Sequence, residues 1–305
     1  MPIASRSPRR ADRAGAVVGS AKARTKAALA RDAPSSSWLT AAMRTVAALD
    51  PMRLAGAVLF IALWQAATAV VSPIILPGPF AVLRWAAADF WSAPALSYYG
   101  VEDPSLFANL LYTAENVAIA VLLGSAIGVT LGLLSARIWF VRAAIDPIMM
   151  TAGTVPILIA APFLLIWFGV GRASAVSLVA FYVVVILYVS AQRAALNLDP
   201  IYENSALTLG AGKHQMLRDI LIPATVPEIL GGFRIALAGS WGLEAVAELL
   251  GSQSGIGKVL EVLAGATDPQ GILATLLVLG TAAILADALA ATLIARFAAW
   301  NFAAR

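Results

Sequence analysis

Long apolar stretches separated by short polar segments run through most of this 305-residue chain. A membrane-spanning helix needs roughly 20 consecutive, mostly apolar residues. By that measure we predict spans at about 54–72, 107–134, 144–167, 174–191, 228–250 and 271–295. The pattern therefore predicts an all-α, polytopic membrane protein whose membrane domain covers residues 51–305 and has about six transmembrane helices.

The segments between the spans differ in character. A Pro/Gly-rich break, PIILPGPF, follows the first span and leads into a predicted interfacial helix at about 81–91. Residues 92–103 contain Pro, Tyr and acidic residues, which favour an exposed loop. A Gly/Ser-rich connection, GSQSGIGK, follows the fifth span at 251–258.

The longest polar interruption lies between the fourth and fifth spans. Asp199–Pro200 is a typical helix start, because Asp caps free N–H groups and Pro tolerates the first helical position. We predict a helix over 201–209, a glycine turn at Gly210 and Gly212, and a second short helix over 213–221 that Pro223 ends. Composition alone leaves two interpretations open: a solvated loop, or a segment that docks on a partner.

Composition narrows the possible chemistry. The chain is 60% hydrophobic and 12% charged and has no cysteine, which excludes disulfides and thiolate metal sites. Its single histidine, His214, leaves little room for a His-based metal or acid–base centre. We therefore expect a non-catalytic chain that binds no metal or cofactor itself.

The distribution of Lys and Arg predicts the orientation. Ten of them lie in residues 1–53, and residues 1–50 read as a poorly ordered basic cytoplasmic tail and topology anchor, not as a nucleic-acid-binding arm. One set of alternate connections holds Arg137, Arg142, Arg193, Lys213, Arg218, Arg296 and Arg305, and the other set holds only Arg84, Arg172 and Lys258. By the positive-inside rule, both termini and the segment between the fourth and fifth spans are cytoplasmic.

Several polar residues interrupt the apolar spans, where ionisable groups are costly and face a partner, a cavity or a pathway. The candidates for a translocation pathway or gate are Glu115, Asn116, Tyr182, Arg234, Glu244 and Glu248. Glu248 has an alternative interpretation as a buried bond to the 251–258 connection. Arg234 lies too far from Glu244 to pair with it within one helix, so its partner must come from another element.

Five stretches carry a family resemblance. Gly210 is followed after nine residues by Ile220, Leu221, Ile222 and Pro223, which resembles the "EAA" signature of ATP-binding cassette (ABC) importer permeases, with Asn204 at the glutamate position. DPIMMTAGTVPILIAAPFLLIWFGVGRAS (146–174) and AVAELLGSQSGIGKVLEVLA (245–264) resemble segments of the nitrate/sulfonate/taurine-type permeases. LWQ (63–65) and the LPGP near residue 77 match the opening of the same family.

The resemblance implies a type I ABC importer permease of the inner membrane. It implies a cytoplasmic coupling helix within residues 199–223, here named the EAA-like segment, that docks on a cytoplasmic ATPase dimer, where Mg–ATP is held. The residues that the resemblance assigns to this docking are Glu203, Asn204, Ala206, Leu207, Gly210, Ala211, His214, Met216, Ile220 and Pro223. It also implies a second permease copy and an extracytoplasmic binding protein that delivers nitrate, an aliphatic sulfonate or a taurine-like solute.

Other functions remain open from the residues alone. An ion-coupled secondary transporter would use the intramembrane acids, although such proteins are typically built from internal repeats, which this chain does not show. A membrane-embedded enzyme lacks support because the H-E-x-x-H and G-x-S-x-G motifs are absent. A permease for another small solute, such as a heterocyclic vitamin precursor, fits the same motifs. The chain also lacks a GxxxxGK[ST] phosphate loop, so it is not expected to be its own motor.

Overall fold

The computed structural model describes residues 51–297, which form helices and loops without any strand. The predicted basic tail lies outside these residues. The helices are, in chain order, α1 (Pro51–Ala67), α2 (Pro79–Asp89), α3 (Pro94–Tyr98), α4 (Leu106–Arg137), α5 (Trp139–Thr154), α6 (Ala161–Phe168), α7 (Arg172–Leu196), α8 (Pro200–Thr208), α9 (Ile222–Gly251), α10 (Ile256–Gly265) and α11 (Pro269–Phe297). The all-α prediction is confirmed.

Within the described part of the chain, four helices are long and apolar enough to cross a membrane. They are α4, α7, α11 and α9 together with the turn before it, a helix of 36 residues from Met216 to Gly251. A bent pair of helices, α5 and α6, provides a fifth candidate span. Helix α1 has 17 residues and ends at Ala67, short of the predicted 72, because the residues that follow it form turns ahead of Pro73.

Helices α4 and α7 run parallel and pack closely along a row of glycines. A Cβ atom on Gly124 would lie 2.6 Å from the Val183 Cβ, and one on Gly128 would lie 2.7 Å from the Val184 carbonyl oxygen. Gly132 approaches Tyr188 and Ala191 in the same way. In lipid the hydrophobic effect does not drive helices together, so their association depends on close packing. Small residues every four positions let the two helix backbones approach each other closely.

Helix α9 completes the core. Its buried residues Ala236, Trp241 and Ala245 pack in one cluster with side chains from α4, α7, α10 and α11. Helix α2 joins this core through α11, where the Gln270 amide donates to the Ala81 carbonyl over 2.7 Å. The predicted interfacial helix at 81–91 is therefore present, two residues earlier than expected at both ends.

The third predicted span, 144–167, is wrong as a single helix. Helices α5 and α6 meet at an angle of 101° across a break that contains Val155, Pro156 and a short 3₁₀ turn, Ile157–Ala160. Pro156 has no N–H to donate to the carbonyl four residues earlier, and it disfavours helical backbone in the residue before it. The apolar pattern continues through this point, which is why the pattern alone suggested one span.

The predicted exposed loop at 92–103 is also partly wrong. Its middle forms the short helix α3, and Ala93, Leu96 and Val101 are buried in the core. The Ala93 N–H donates to the Pro104 carbonyl at 2.6 Å and the Val101 N–H to the Leu96 carbonyl at 3.1 Å, so the segment folds back on itself. Tertiary packing of three apolar residues outweighs the local loop signal.

Candidate functional site

The EAA-like segment begins with the predicted helix. The Asp199 carboxylate accepts from the Ile201 N–H at 2.9 Å and caps α8, while Pro200 occupies its first position. Gly210 has φ +81°, a conformation that favours glycine, and the Ala211 N–H reaches back to the Ala206 carbonyl at 3.0 Å. This turn reverses the chain after α8, as the sequence predicts. Gly212 does not share the positive φ.

The second half of the segment differs from the prediction. Lys213–Gln215 form one helical turn, followed by a π-helical turn, Met216–Leu221, which continues directly into α9. Pro223 does not end this helix, because it directly follows the π turn and the helix continues through it into α9. The Ile222 N–H donates to the Leu217 carbonyl five residues back, the wider spacing of a π turn. The segment is therefore rigidly continuous with a membrane helix.

An ion pair ties α8 to the end of α4. The Arg137 guanidinium donates to the Glu203 carboxylate, and both side chains are about one third exposed. Beside this pair lies a cleft of ≈ 670 Å³ that α8, the glycine turn and the π turn also line. Its apolar walls include Leu207, Met216 and Leu217. The carboxylate of Glu203, one position before Asn204, is thus paired with an arginine of the same chain.

The residues assigned to docking differ in their exposure to solvent. Asn204, Leu207, Gly210 and His214 are exposed, whereas Ala206 is buried against the rest of the segment. Glu203, Ala211, Met216, Ile220 and Pro223 are half-buried. Large apolar side chains dominate the exposed surface of α8, since Ile201, Tyr202 and Leu207 are each about 60% exposed and Leu209, just after it, is 88% exposed.

Glu248 lies at the centre of a buried polar cluster at the other end of the membrane helices. Its carboxylate, fully buried, accepts from the Gly257 N–H at 2.9 Å and lies 2.9 Å from the Thr113 hydroxyl. The Asn116 amide approaches it at 3.5 Å. Asn109 adds a bond from the Gly255 N–H at 2.8 Å, so α4, α9 and the start of α10 are joined here.

The glycine connection fits against Glu248 because it lacks side chains. Gly255 has φ +101°, and a Cβ on it would overlap the Glu248 carboxylate. A Cβ on Gly257 would lie 2.6 Å from the Leu249 nitrogen. Of the two interpretations of Glu248, these contacts match the bond to the 251–258 connection.

We expect Glu248→Gln to lower the melting temperature of the detergent-purified protein, and Glu248→Ala to lower it further. The alanine leaves the Gly257 N–H without its acceptor, at about 1–3 kcal/mol for a buried unsatisfied group, while the Thr113 hydroxyl keeps only the Asn109 carbonyl at 3.1 Å. The measurement is a thermal unfolding curve of each variant. Glu261→Gln, which changes an exposed carboxylate on α10, is the matched control and should melt like the wild type. Equal melting of all four proteins would contradict the structural role.

The other pathway candidates lie in different surroundings. Glu244 is fully buried, and neither of its carboxylate oxygens has a hydrogen-bond partner within the chain. The side-chain oxygen of Asn116 also has no hydrogen-bond partner there. Tyr182 is half-buried and its ring packs against α9 at Gly239. Glu115 pairs with Arg172 at 2.9 Å on the surface, where Arg172 also stacks on Tyr112. The structure therefore does not bring the six candidates together around one open space.

Arg234 has the partner that the sequence required from another element. Its Nε donates to one carboxylate oxygen of Asp287 on α11 at 2.8 Å, and its Nη2 donates to the other at 2.6 Å. The arginine side chain is 48% exposed and the aspartate side chain 33% exposed at the surface of the chain.

Sequence reasoning missed two features. The row Gly124, Gly128, Gly132 could have been found from its four-residue spacing within an apolar span. In the sequence, Asp146 of α5 stands out only as the first residue of the 146–174 stretch. It accepts from the Tyr188 hydroxyl and from the Gln192 amide at 2.6 Å, which fixes α5 to α7. These two partners lie more than 40 residues away in the chain, beyond any local signal, whereas its ion pair with Arg142 is only four residues away.

The chain resembles known transport proteins over most of the described part. Residues 128–299 match the model of the family "Binding-protein-dependent transport system inner membrane component". The taurine transport system permease protein TauC of Escherichia coli (strain K12) is 30% identical over 67% of this chain and 73% of its own length. The nitrate import permease protein NrtB of Synechococcus elongatus is 28% identical over 65% and 71%.

A solved structure supports the fold. The chain matches a chain of the MetNI methionine ABC transporter, solved in inward-facing conformations, with a TM-score of 0.56. The two are 18% identical, and the match covers 63% of this chain and 96% of the other. The helical architecture, the motif order and the match over more than half of the chain agree. The chain belongs to the binding-protein-dependent transport system inner membrane components, the multi-pass permease subunits of ABC importers.

Proposed function

We propose that this permease couples to a cytoplasmic ATPase dimer through α8 and moves a small solute that an extracytoplasmic binding protein delivers. The observation that carries the proposal is the apolar surface of α8. Tyr202 and Leu207 on α8, and Leu209 just after it, are largely exposed, and α8 lies between two candidate membrane spans in the chain. A short helix with exposed apolar anchors fits a groove on a partner better than it fits water.

The attachment of the EAA-like segment suits transmission of force. On one side the Arg137–Glu203 pair links α8 to α4, and on the other the π turn runs unbroken into α9. A displacement of α8 by a partner would therefore act on two membrane helices. The positive-inside pattern supports a cytoplasmic location for this segment and for both termini.

The remaining partners follow from the same proposal. Mg–ATP would be bound by the ATPase chains, and this chain would contribute no catalytic group. A second copy of the chain would complete the passage, as the family resemblance implies. The solute is proposed to be a sulfonate such as taurine, or nitrate, since related permeases carry those names.

Reconstitution tests the proposal directly. Proteoliposomes that contain this permease with its partner ATPase and binding protein should take up taurine or nitrate only when ATP is present. Uptake should stop when the catalytic glutamate of the ATPase is replaced or when the binding protein is left out. Uptake that follows a proton or sodium gradient without ATP would overturn the proposal and favour a secondary transporter.

A further inference from the structure

The Arg234–Asp287 pair lies within the predicted spans of α9 and α11, on their cytoplasmic side. Arg234 lies six residues, about 9 Å, after residue 228, where the predicted fifth span begins. Asp287 lies eight residues, about 12 Å, before residue 295, where the predicted sixth span ends. Among the described residues, no other Arg or Lys lies inside a predicted span. Both groups are therefore within the thickness that lipid tails occupy.

Lipid tails are a poor environment for this pair. Its side chains are 48% and 33% exposed, and ionised groups at membrane depth face a water-filled cavity, a pathway or a polar partner. Helices α9 and α11 are already held together by apolar packing, with Ala236 and Leu279 in the shared core. The exposed flank of the pair is thus available for contact with something other than this chain's own core.

The hydrogen bonding of the pair leaves capacity for a ligand. A guanidinium has five N–H donors, and Asp287 accepts from two of them. Three donors remain, and both carboxylate oxygens keep further lone pairs. A molecule with an oxyanion at one end and an ammonium at the other can add to this flank without separating the two side chains.

We infer that the Arg234–Asp287 pair binds a zwitterionic solute at membrane depth, with Arg234 contacting an oxyanion such as a sulfonate and Asp287 contacting an ammonium group. The inference rests on the proposed function and adds the chemical class of solute. The pair carries no net charge, so a solute without net charge meets no uncompensated field there. A simple anion is attracted by the Arg234 guanidinium but repelled by the Asp287 carboxylate. Charge-assisted bonds at both ends favour the zwitterion.

Site-directed labelling tests the inference without the ATPase or the binding protein. The chain has no cysteine, so Ala238→Cys introduces a single thiol one helical turn from Arg234 on an exposed face. A water-soluble methanethiosulfonate reagent should modify it. Taurine should slow this modification several-fold, and ethanesulfonate, which lacks only the ammonium group, should slow it less. Leu122→Cys, exposed at similar depth on α4, is the control whose labelling should not respond to either solute.

Variants of the pair sharpen the test. In the Ala238→Cys background, Asp287→Asn should remove the advantage of taurine over ethanesulfonate, a change of about tenfold in the relative protection if one charge-assisted contact is lost. Arg234→Gln should abolish protection by both solutes. The exchange Arg234→Asp with Asp287→Arg keeps an ion pair and should insert normally if a single variant does not.

The outcomes separate this inference from the proposed function. A thiol at position 238 that water-soluble reagent cannot reach, or equal labelling rates with and without taurine, would overturn the inference. So would Asp287→Asn lowering protection by both solutes equally, which indicates a structural clip between α9 and α11. None of these results bears on ATP-driven uptake, and uptake failure would not alter the labelling pattern.

Discussion

Gly128→Leu is expected to leave little correctly folded protein. A Cβ at this position would already lie 2.7 Å from the Val184 carbonyl oxygen and 3.1 Å from the Leu187 Cβ. The first of these is a backbone atom, so no rotamer change can make room, and α4 and α7 must separate. Overpacking of this kind costs about 1–3 kcal/mol and sometimes more. We expect a lower melting temperature and a large loss of the monodisperse fraction in detergent.

Gly280→Leu is the matched control for that result. It places the same side chain in α11, another apolar span, at a glycine with no atom within 4 Å of an added Cβ. Its melting temperature should remain close to that of the wild type. If Gly128→Leu instead behaves like Gly280→Leu, the close approach of α4 and α7 is not what holds the fold.

Leu207→Asp should uncouple ATP hydrolysis from transport while the protein still inserts in the membrane. Leu207 is 61% exposed, so its replacement removes little packing within the chain. In a docked state the carboxylate would be buried in an apolar groove without a partner, which costs several kcal/mol. Since each 1.4 kcal/mol is tenfold in an equilibrium constant, we expect at least a tenfold loss of ATP-driven uptake.

Two further variants bracket this prediction. Leu207→Met keeps an apolar side chain and should retain uptake. Gly210→Pro fixes φ near −65° where the chain needs +81°, so it should disrupt the turn after α8 and lose coupling as Leu207→Asp does. Full coupling in both Leu207→Asp and Gly210→Pro would mean that α8 is not the docking helix. Membrane levels and basal ATPase rates are measured beside uptake.

The features that the sequence predicted well are those that local pattern determines. Apolar length located four of the six predicted spans as single long helices, namely α4, α7, α9 and α11, and the cap at Asp199 with glycine at Gly210 located α8 and its turn. The same reasoning failed at Pro156, because the apolar pattern does not register a break in direction. It failed at Pro223 too, because a proline at the start of one helix and a proline after the end of another look alike in sequence.

Partners across the fold could not be predicted because they depend on which helices meet. The carboxylate of Glu203 finds Arg137 66 residues away, and Glu248 finds Thr113 135 residues away. The sequence did require an external partner for Arg234 but could not choose Asp287. Polar residues in the spans marked positions of interest, and only tertiary structure divided them into a buried cluster and an exposed pair.

The glycine contacts between α4 and α7 also limit how the permease can move. Three close approaches over about 12 Å prevent either helix from sliding or rotating against the other. The two helices must then travel as one rigid body, and bending is confined to the joints at their ends. One such joint is the Phe168–Arg172 connection, where Gly169 and Gly171 have φ of +77° and +129° and no neighbouring atoms within 4 Å of an added Cβ. A change of conformation would turn α6 about this hinge while α4 and α7 stay fixed to each other.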